Sequence, residues 1–137
     1  MDFVVDASVA MGWLLQSQAD ELTRAAETAL QEESGWVPNH FALEVARSLR
    51  SQERRNLLTP QAVDEAILRL RDIPLRQDSD TALDHVSATL ALARHHDLRV
   101  ADAGYLELSM RMKLPLATRD AALARAARKA GAPLFKT

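Results

Sequence analysis

Apolar residues are grouped along the chain into short runs that alternate with longer segments of helical periodicity. The runs, such as those at 3–5 and 114–118, have the length of buried strands. The longer segments repeat apolar positions three and four residues apart, as Leu83, Val86, Leu90 and Ala93 do on one face. This alternation predicts an α/β protein, a three-layer α/β/α sandwich around a central, mostly parallel sheet.

Capping and helix-breaking residues set the expected bounds of the elements. We expect Asn39 to cap one helix, Thr59 and Pro60 to begin another, and Gly131 to end the last. The predicted strands and extended segments are 3–5, 36–38, 73–75, 99–101, 114–118 and 134–135. The predicted helices are 7–15, 19–33, 39–52, 59–71, 81–96, 102–112 and 120–129. Because no linker or low-complexity segment interrupts this order, we expect one domain over residues 1–137.

Composition excludes several classes of function. The chain has 137 residues, of which 47% are hydrophobic and 26% charged, as in a globular domain. The absence of cysteine excludes a disulfide scaffold, a thiolate metal site and a cysteine nucleophile.

No apolar run approaches the ~20 residues of a membrane span, and the first residues do not form a signal peptide, so we expect a cytoplasmic protein. A net charge of −2 means that binding to a polyanion needs a local basic patch or a metal ion.

One pattern occurs three times, in which an extended apolar segment is followed by Asp-Ala and then by a helix. The aspartates are Asp6, Asp102 and Asp120. Each alone is most simply a helix N-cap. Because the carboxyl ends of parallel strands lie at one edge of a sheet, the three side chains are also candidates for one shared cleft. Converging carboxylates repel one another unless they are protonated or bridged by a cation, and oxygen ligands suit Mg²⁺ or Mn²⁺.

A fourth acid and a row of arginines lie near this proposed cleft. Glu44 is at the edge of the apolar face of its helix, where on its own it is best explained as a surface partner of Arg47. Arg47, Arg50 and Arg54 share a stripe beside it, and Arg119 precedes the last of the three aspartates. These four arginines are candidate RNA-binding residues. A solvated helix face is the alternative interpretation of the stripe.

Four blocks of the sequence resemble the motifs of the PIN domain, specifically of the VapC-type toxin ribonucleases of bacterial toxin–antitoxin pairs. The blocks are Val4-Val5-Asp6-Ala7-Ser8-Val9-Ala10 with Trp13; Pro38 with Glu44; Asp102-Ala103-Gly104-Tyr105-Leu106-Glu107-Leu108-Ser109; and Leu116-Ala117-Thr118-Arg119-Asp120 with Leu123 and Ala127. Each block is weak by itself, but the four occur in the order of the family and span nearly the whole chain. The segment 59–80 matches none of these motifs.

The resemblance implies a site for Mg²⁺ or Mn²⁺ made by four acids. The residues that it implies to be both metal-binding and catalytic are Asp6, Glu44, Asp102 and Asp120. Ser8 and Thr118 match hydroxyl positions that line or orient such a site. The resemblance further implies metal-dependent hydrolysis of RNA phosphodiester bonds, a VapB-type antitoxin partner and a homodimer. No histidine is needed, so we interpret the histidines as structural or surface residues.

Three other functions remain open at the level of sequence. One is a nuclease of the same fold that acts on other single-stranded nucleic acid. Another is a non-catalytic domain that works through protein contacts alone. A third is a receiver-like, Mg-binding phospho-acceptor module, which is disfavoured because Asp6 has no acidic neighbour and Arg119 follows Thr118 where a lysine is expected. The sequence does not identify the RNA, the number of metal ions or the antitoxin.

Overall fold

The computed structural model of the chain describes residues 1–80 and 82–137. The strands are Phe3–Val5 (β1), Gly35–Val37 (β2), Leu75–Gln77 (β3) and Leu116–Ala117 (β4). The helices are Ala7–Leu14 (α1), Glu21–Ala29 (α2), Phe41–Arg54 (α3), Pro60–Asp72 (α4), Ala82–His96 (α5), Val100–Met112 (α6) and Ala121–Ala130 (α7), with a 3₁₀ turn at Gln16–Gln18. Within the described ranges, no helix combines the length and the apolar character that a membrane crossing requires.

The four strands form one parallel sheet in the order β3-β2-β1-β4. In the inner strand β1, Val4 is in register with Trp36 on one side and Leu116 on the other. All three side chains of β1 are fully buried, as expected for a parallel strand covered on both faces. The predicted α/β class with a mostly parallel central sheet is confirmed.

The sheet topology places the ends of the first and last strands side by side. Strand β1 leads into α1 through Asp6, and β4 leads into α7 through residues 118–120. Because β1 and β4 are parallel neighbours, both helices begin at the same edge of the sheet. Large buried side chains such as Phe3, Leu49, Tyr105 and Leu123 pack these helices, α3 and α6 around the sheet. Burial of each such side chain is worth roughly 1.5–3 kcal/mol, which fixes the edge firmly.

Helix α6 begins earlier than the sequence predicts. The extended segment expected at 99–101 is wrong, because α6 starts at Val100 and Arg99 is its N-cap residue. Asp102 is therefore the third residue of the helix rather than its cap. The cause is the tight turn after α5, where Asp97 adopts a left-handed conformation (φ 53°) and the Leu98 N–H donates to an α5 carbonyl. The chain enters α6 at once, and α6 packs against α5.

Other helix ends follow the predicted caps with two exceptions. Thr59 caps α4, and Gly131 ends α7 in a left-handed conformation, as expected. Asn39 is not a cap, because α3 begins after His40, which makes no side-chain capping bond. The helix expected at 19–33 is shorter, because Asp20 caps α2 in a capping box and the chain leaves the helix after Ala29. The helix expected at 81–96 is α5; its first predicted residue lies outside the described residues.

The apolar face predicted on α5 is largely exposed. Leu83 is 85% exposed and Val86 46%, whereas Ala93, further along the same face, is buried. Leu43 on α3 is likewise 77% exposed. Periodicity therefore identified a face of α5 correctly, but the described part of the chain covers only the end of that face.

Candidate active site

Two of the four predicted acids lie at the ends of neighbouring strands and cap the helices that follow. Asp6 follows β1 and accepts a hydrogen bond from the Val9 N–H at 3.2 Å. Asp120 follows β4 and accepts from the N–H groups of Ala122 and Leu123 at 2.9 and 3.1 Å. The two carboxylates are therefore held at one edge of the sheet by the first turns of α1 and α7, as the strand-Asp-helix pattern predicts.

Two hydroxyl groups fix the orientation of Asp6. The Ser8 hydroxyl donates to Oδ1 of Asp6, and the Thr118 hydroxyl donates to Oδ2, each at 2.5 Å. The Thr118 oxygen also accepts the Asp120 N–H at 3.0 Å, so one side chain joins two of the acids. Ser8 and Thr118, which the resemblance implied as hydroxyls of the site, thus both hold the Asp6 carboxylate.

Asp6 is the most enclosed of the four acids. Its side chain is 4% exposed, and burial raises the pKa of Asp6 from 3.8 to about 6. The hydrogen bonds from Ser8 and Thr118 lower this pKa in part, whereas the negative charge of Glu44 raises it further. The repulsion means that Glu44, from a different helix, lies close enough to Asp6 to share its electrostatic environment.

Glu44 is positioned by a buried tyrosine. The Tyr105 hydroxyl donates to Oε1 of Glu44 at 2.6 Å, and Arg47 Nη2 lies 3.6 Å from Oε2. Burial, followed by the hydrogen bond to Glu44, raises the pKa of Tyr105, so that this group remains a neutral donor. The charge of Asp6 acts on Tyr105 in the same direction. Tyr105, on α6, therefore stands between an acid from α3 and the acid that follows β1.

Asp102 is paired with an arginine. Nε of Arg99 donates to Oδ2 of Asp102 at 3.0 Å, and this bond is the main reason why the pKa of Arg99 is raised. The charges of Glu44 and Asp120 raise it further. The negative charges of Asp102, Glu44 and Asp120 therefore all raise the pKa of Arg99. The charge of Glu44 also raises the pKa of Asp6. The four predicted acids are thus linked to one another through Arg99 and Glu44, and we call the region that they share the acidic cleft.

Helices α3 and α6 are joined at this cleft by His40. Its Nε2 donates to the Ala101 carbonyl at 2.9 Å, and its ring packs edge-on against Tyr105, with 5.1 Å between the centroids. Gly104 makes this contact possible, because a Cβ at that position would lie 2.5 Å from Cε1 of His40. His40 is structural, as the sequence indicated, and it fixes Glu44 relative to Asp102.

Gly104→Ala is expected to destabilise the protein by about 1–3 kcal/mol, because the imidazole of His40 must leave its position. Thermal unfolding of Gly104→Ala, His40→Ala and the double variant measures this. Since the clash needs both side chains, the double variant should be less destabilised than the sum of the single ones. Additive losses, or an unchanged Tm for Gly104→Ala, would contradict the steric explanation.

The donor chemistry of the cleft fits a hard divalent cation, since all four acids offer carboxylate oxygens. Their present orientations do not form a ready cage: within residues 1–80 and 82–137, no three acidic or histidine side chains are grouped so as to hold a metal ion. Three of the acids instead have hydrogen-bond partners of their own. Asp102 faces Arg99, Glu44 faces Tyr105, and Asp6 faces the two hydroxyls.

The Arg119 side chain is held by hydrogen bonds to other parts of the chain. Its Nε and Nη2 donate to the Ser8 carbonyl at 2.9 and 2.5 Å, and its Nη1 donates to the Gln18 carbonyl. It also lies 3.6 Å from a carboxylate oxygen of Asp20. Arg119 braces the loop after β4 against α1 and the 3₁₀ turn, and a phosphate contact by this residue stays a prediction.

The remaining arginines of the predicted stripe lie along α3 with exposed side chains. Arg50 is engaged in an ion pair with Glu53, and Arg54 lies in the last turn of the helix, farther along α3 from Glu44. Arg47 is the member of the stripe that borders the acids, through its contact with Glu44. The structure therefore separates this arginine from the other two.

Two residues of the cleft, Arg99 and Tyr105, were not predicted as site residues. Both stand three positions from Asp102, one before it and one after it. Residues three apart on a helix share a side, so the opposite charge of Arg99 at i−3 was available as a signal. This spacing did not indicate a contact because Asp102 was predicted to be the N-cap, which places Arg99 outside the helix. The Tyr105 hydroxyl bonds Glu44 rather than Asp102, and no local pattern predicts that contact.

Comparison with known proteins agrees with this geometry. The PIN domain family model matches residues 3–129. Ribonuclease VapC3 from two strains of Mycobacterium tuberculosis, CDC 1551 / Oshkosh and ATCC 25618 / H37Rv, is 37% identical to the chain over 127 residues. The match covers 90% of this chain and 85% of each relative.

A solved structure supports the same fold. The crystal structure of PAE2754 from Pyrobaculum aerophilum superposes with a TM-score of 0.69 over 92% of this chain and 84% of that one, at 17% sequence identity. With the four sequence blocks, the acidic cleft and the relatives taken together, the resemblance is confirmed: the chain belongs to the PIN-domain family, and within it to the VapC group.

Proposed function

We propose that this protein is an endoribonuclease that hydrolyses RNA phosphodiester bonds as the toxin of a type II toxin–antitoxin pair, with residues 1–137 forming one PIN domain. The observation that supports the proposal is the electrostatic linkage of the four acids: Glu44 acts on Asp6, and Asp102, Glu44 and Asp120 all act on Arg99. Neighbouring carboxylates repel one another unless they are protonated or bridged by a cation, so this arrangement favours a bound metal ion. The identity to Ribonuclease VapC3 makes RNA the favoured substrate.

In this proposal the four acids hold Mg²⁺ or Mn²⁺. When bound, such an ion lowers the pKa of a water molecule and offsets the negative charge that develops on the phosphate. The chain's own residues prepare the site. Tyr105 holds Glu44 in place, while Arg47 and Arg99 present guanidinium groups at the rim for phosphate oxygens.

The favoured substrate is single-stranded RNA. The phosphate must come close to Asp6, which is buried at the edge of the sheet, and a flexible strand bends into such a cleft more easily than a duplex does. We place the activity in the cytoplasm, where cellular RNA is available.

We further propose a VapB-type antitoxin and a second copy of this chain as protein partners. A groove with a cavity of about 440 Å³ lies between α3, α5 and α6, bordered by the exposed side chains of Leu43, Val86 and Val100. Contiguous apolar surface of this kind is typical of protein interaction sites. The groove also reaches Glu44, so a partner bound there would lie beside the acids.

Cleavage of total RNA by the purified protein tests the proposed activity. We expect discrete fragments in Mn²⁺ and none in EDTA, and we expect Asp102→Asn to lower the rate by at least about 100-fold. Asp64→Asn, an exposed aspartate on α4, is the matched control and should cleave like the wild type.

Each alternative function gives a distinct result in the same experiment. Cleavage that persists in EDTA or in Asp102→Asn would rule out the proposed metal-dependent site. Metal-dependent cleavage of single-stranded DNA but not of RNA would favour the broader nuclease function. Intact nucleic acid under every condition, with a folded protein free of antitoxin, would leave a binding role.

A further inference from the structure

A second cavity, which we call the side cavity, shares Arg47 in its lining with the apolar groove and is also lined by Arg99, the partner of Asp102. Its volume is about 400 Å³, within the range of roughly 300–1,000 Å³ typical of small-molecule sites. It is bounded by α1, the 3₁₀ turn and α3. Its described lining contains three arginines, three serines and two glutamines, and no acidic side chain. The lining thus suits an anionic, polar ligand.

The side cavity is tied to the acidic cleft by residues that line the cavity and contact the acids. Two of its lining arginines contact acids of the cleft: Arg47 lies 3.6 Å from Glu44, and Arg99 donates to Asp102 at 3.0 Å. Ser8, at the inner wall, is the residue that holds Asp6. A nucleic acid strand with one phosphate at the acids would therefore place a neighbouring nucleotide in the side cavity.

Three polar side chains of α3 face this space with their hydrogen-bonding capacity unused. Ser48, Ser51 and Gln52 are spaced i, i+3 and i+4, which puts them on one side of the helix. Their side chains make no hydrogen bond to any residue in the ranges 1–80 and 82–137. Hydroxyl and carboxamide groups both donate and accept, as recognition of a base edge requires.

Two of the three arginines remain available for a ligand. Arg119 donates to the Ser8 and Gln18 carbonyls and therefore forms part of the wall. Arg47 and Arg99 have side chains 63% exposed, and each contacts a single carboxylate. Guanidinium groups in this position match the phosphate of a nucleotide.

We propose that the side cavity is a nucleotide subsite that sets the sequence preference of cleavage. Arg47 and Arg99 bind the phosphate next to the scissile one, and Ser48, Ser51 and Gln52 read the edge of its base. The inference rests on the proposed function, because it needs a nucleic acid strand bound at the acids. It goes beyond that function by assigning base recognition to one turn of α3.

The test uses a short RNA library with randomised positions, cleaved by the purified protein in Mn²⁺ and sequenced at the fragment ends. The wild type should prefer a particular base at one position beside the cut. Gln52→Ala and Ser51→Ala should reduce that preference by about tenfold. Arg47→Ala should raise KM for all sequences without changing the preferred base. Gln61→Ala and Arg71→Ala, exposed residues of α4, are the matched controls and should behave like the wild type.

A binding measurement separates failure of the subsite from failure of the proposed function. Asp120→Asn keeps an oxygen that can cap α7, so we expect this variant to fold and to bind RNA from the same library. The bound RNA is sequenced for Asp120→Asn alone and for Asp120→Asn combined with Gln52→Ala. An identical base profile with and without Gln52 would overturn the subsite and leave the ribonuclease. If the wild type does not cleave RNA and Asp120→Asn does not bind it, the subsite and the proposed ribonuclease function are both overturned. Loss of the preferred base only when Gln52 is replaced is the supporting result.

Discussion

Asp6→Asn is expected to lower the rate of RNA cleavage by about 10³-fold or more while the fold is kept. The carboxamide oxygen still accepts from Ser8 and from the Val9 N–H, and the Thr118 hydroxyl can accept from the new NH₂ group instead of donating. The negative charge of the most enclosed acid is lost, together with several kcal/mol of transition-state stabilisation by a bound cation. Cleavage rates, with circular dichroism and thermal unfolding of the same samples, measure both effects.

Asp2→Asn provides a matched control at the other end of β1. Asp2 also accepts hydrogen bonds from a backbone N–H, that of Ser34 at 3.0 Å, and from a side chain, Trp36 Nε1 at 3.3 Å. It lies outside the acidic cleft, so its replacement should cost some stability and no catalytic rate. Full activity of Asp6→Asn would remove Asp6 from the catalytic site.

The metal-free protein is expected to lose stability as the pH rises from about 4 to about 6. Burial raises the pKa of Asp6 from 3.8 to about 6. Between these values the folded state keeps a proton that the unfolded state has released, so the unfolded state binds fewer protons and the free energy of unfolding falls with rising pH. At neutral pH the loss from this one group amounts to about 3 kcal/mol, which is a large part of the stability of a small domain.

Urea unfolding in EDTA between pH 4 and 8, for the wild type and for Asp6→Asn, isolates this contribution. The comparison is needed because Asp2, Asp20 and Asp78, whose pKa values are lowered, make stability rise with pH at the acidic end. The difference between the two proteins should grow in favour of Asp6→Asn up to about pH 6 and then level off. Mn²⁺ should stabilise the wild type above that pH, because it binds the folded state. Parallel pH profiles would show that Asp6 does not carry the effect.

The parts of the site that local sequence signals determine were predictable. Asp6 and Asp120 each follow a short buried strand and precede a helix, and the structure has both as caps at one sheet edge. The position of Asp102 within its helix was not predictable in this way. It depends on the left-handed residue Asp97 and on the packing of α6 against α5, and no local pattern encodes either.

Side-chain contacts between residues distant in sequence could not be predicted either. An arginine beside an acid, as Arg119 is beside Asp120, is typical of a charged rim that binds phosphates. In the structure Arg119 donates instead to the carbonyls of Ser8 and Gln18, about a hundred positions away in the sequence. Tyr105 and Glu44 meet across 61 positions in the same way. The exposed face of α5 has a similar cause, since periodicity shows that a helix has an apolar side but not whether the chain itself covers it.

The pairing of β1 with β4 has a consequence for how the chain is made. The hydrogen bond from Thr118 to Asp6 spans 112 positions, and Asp120 lies two residues further on. While a ribosome is still synthesising α7, β1 lacks its neighbour and Asp6 lacks the hydroxyl that orients it. Long-range parallel pairing also forms slowly. The cleft therefore assembles only after residue 120 has left the exit tunnel, because until then β1 and Asp6 lack the partners that position them.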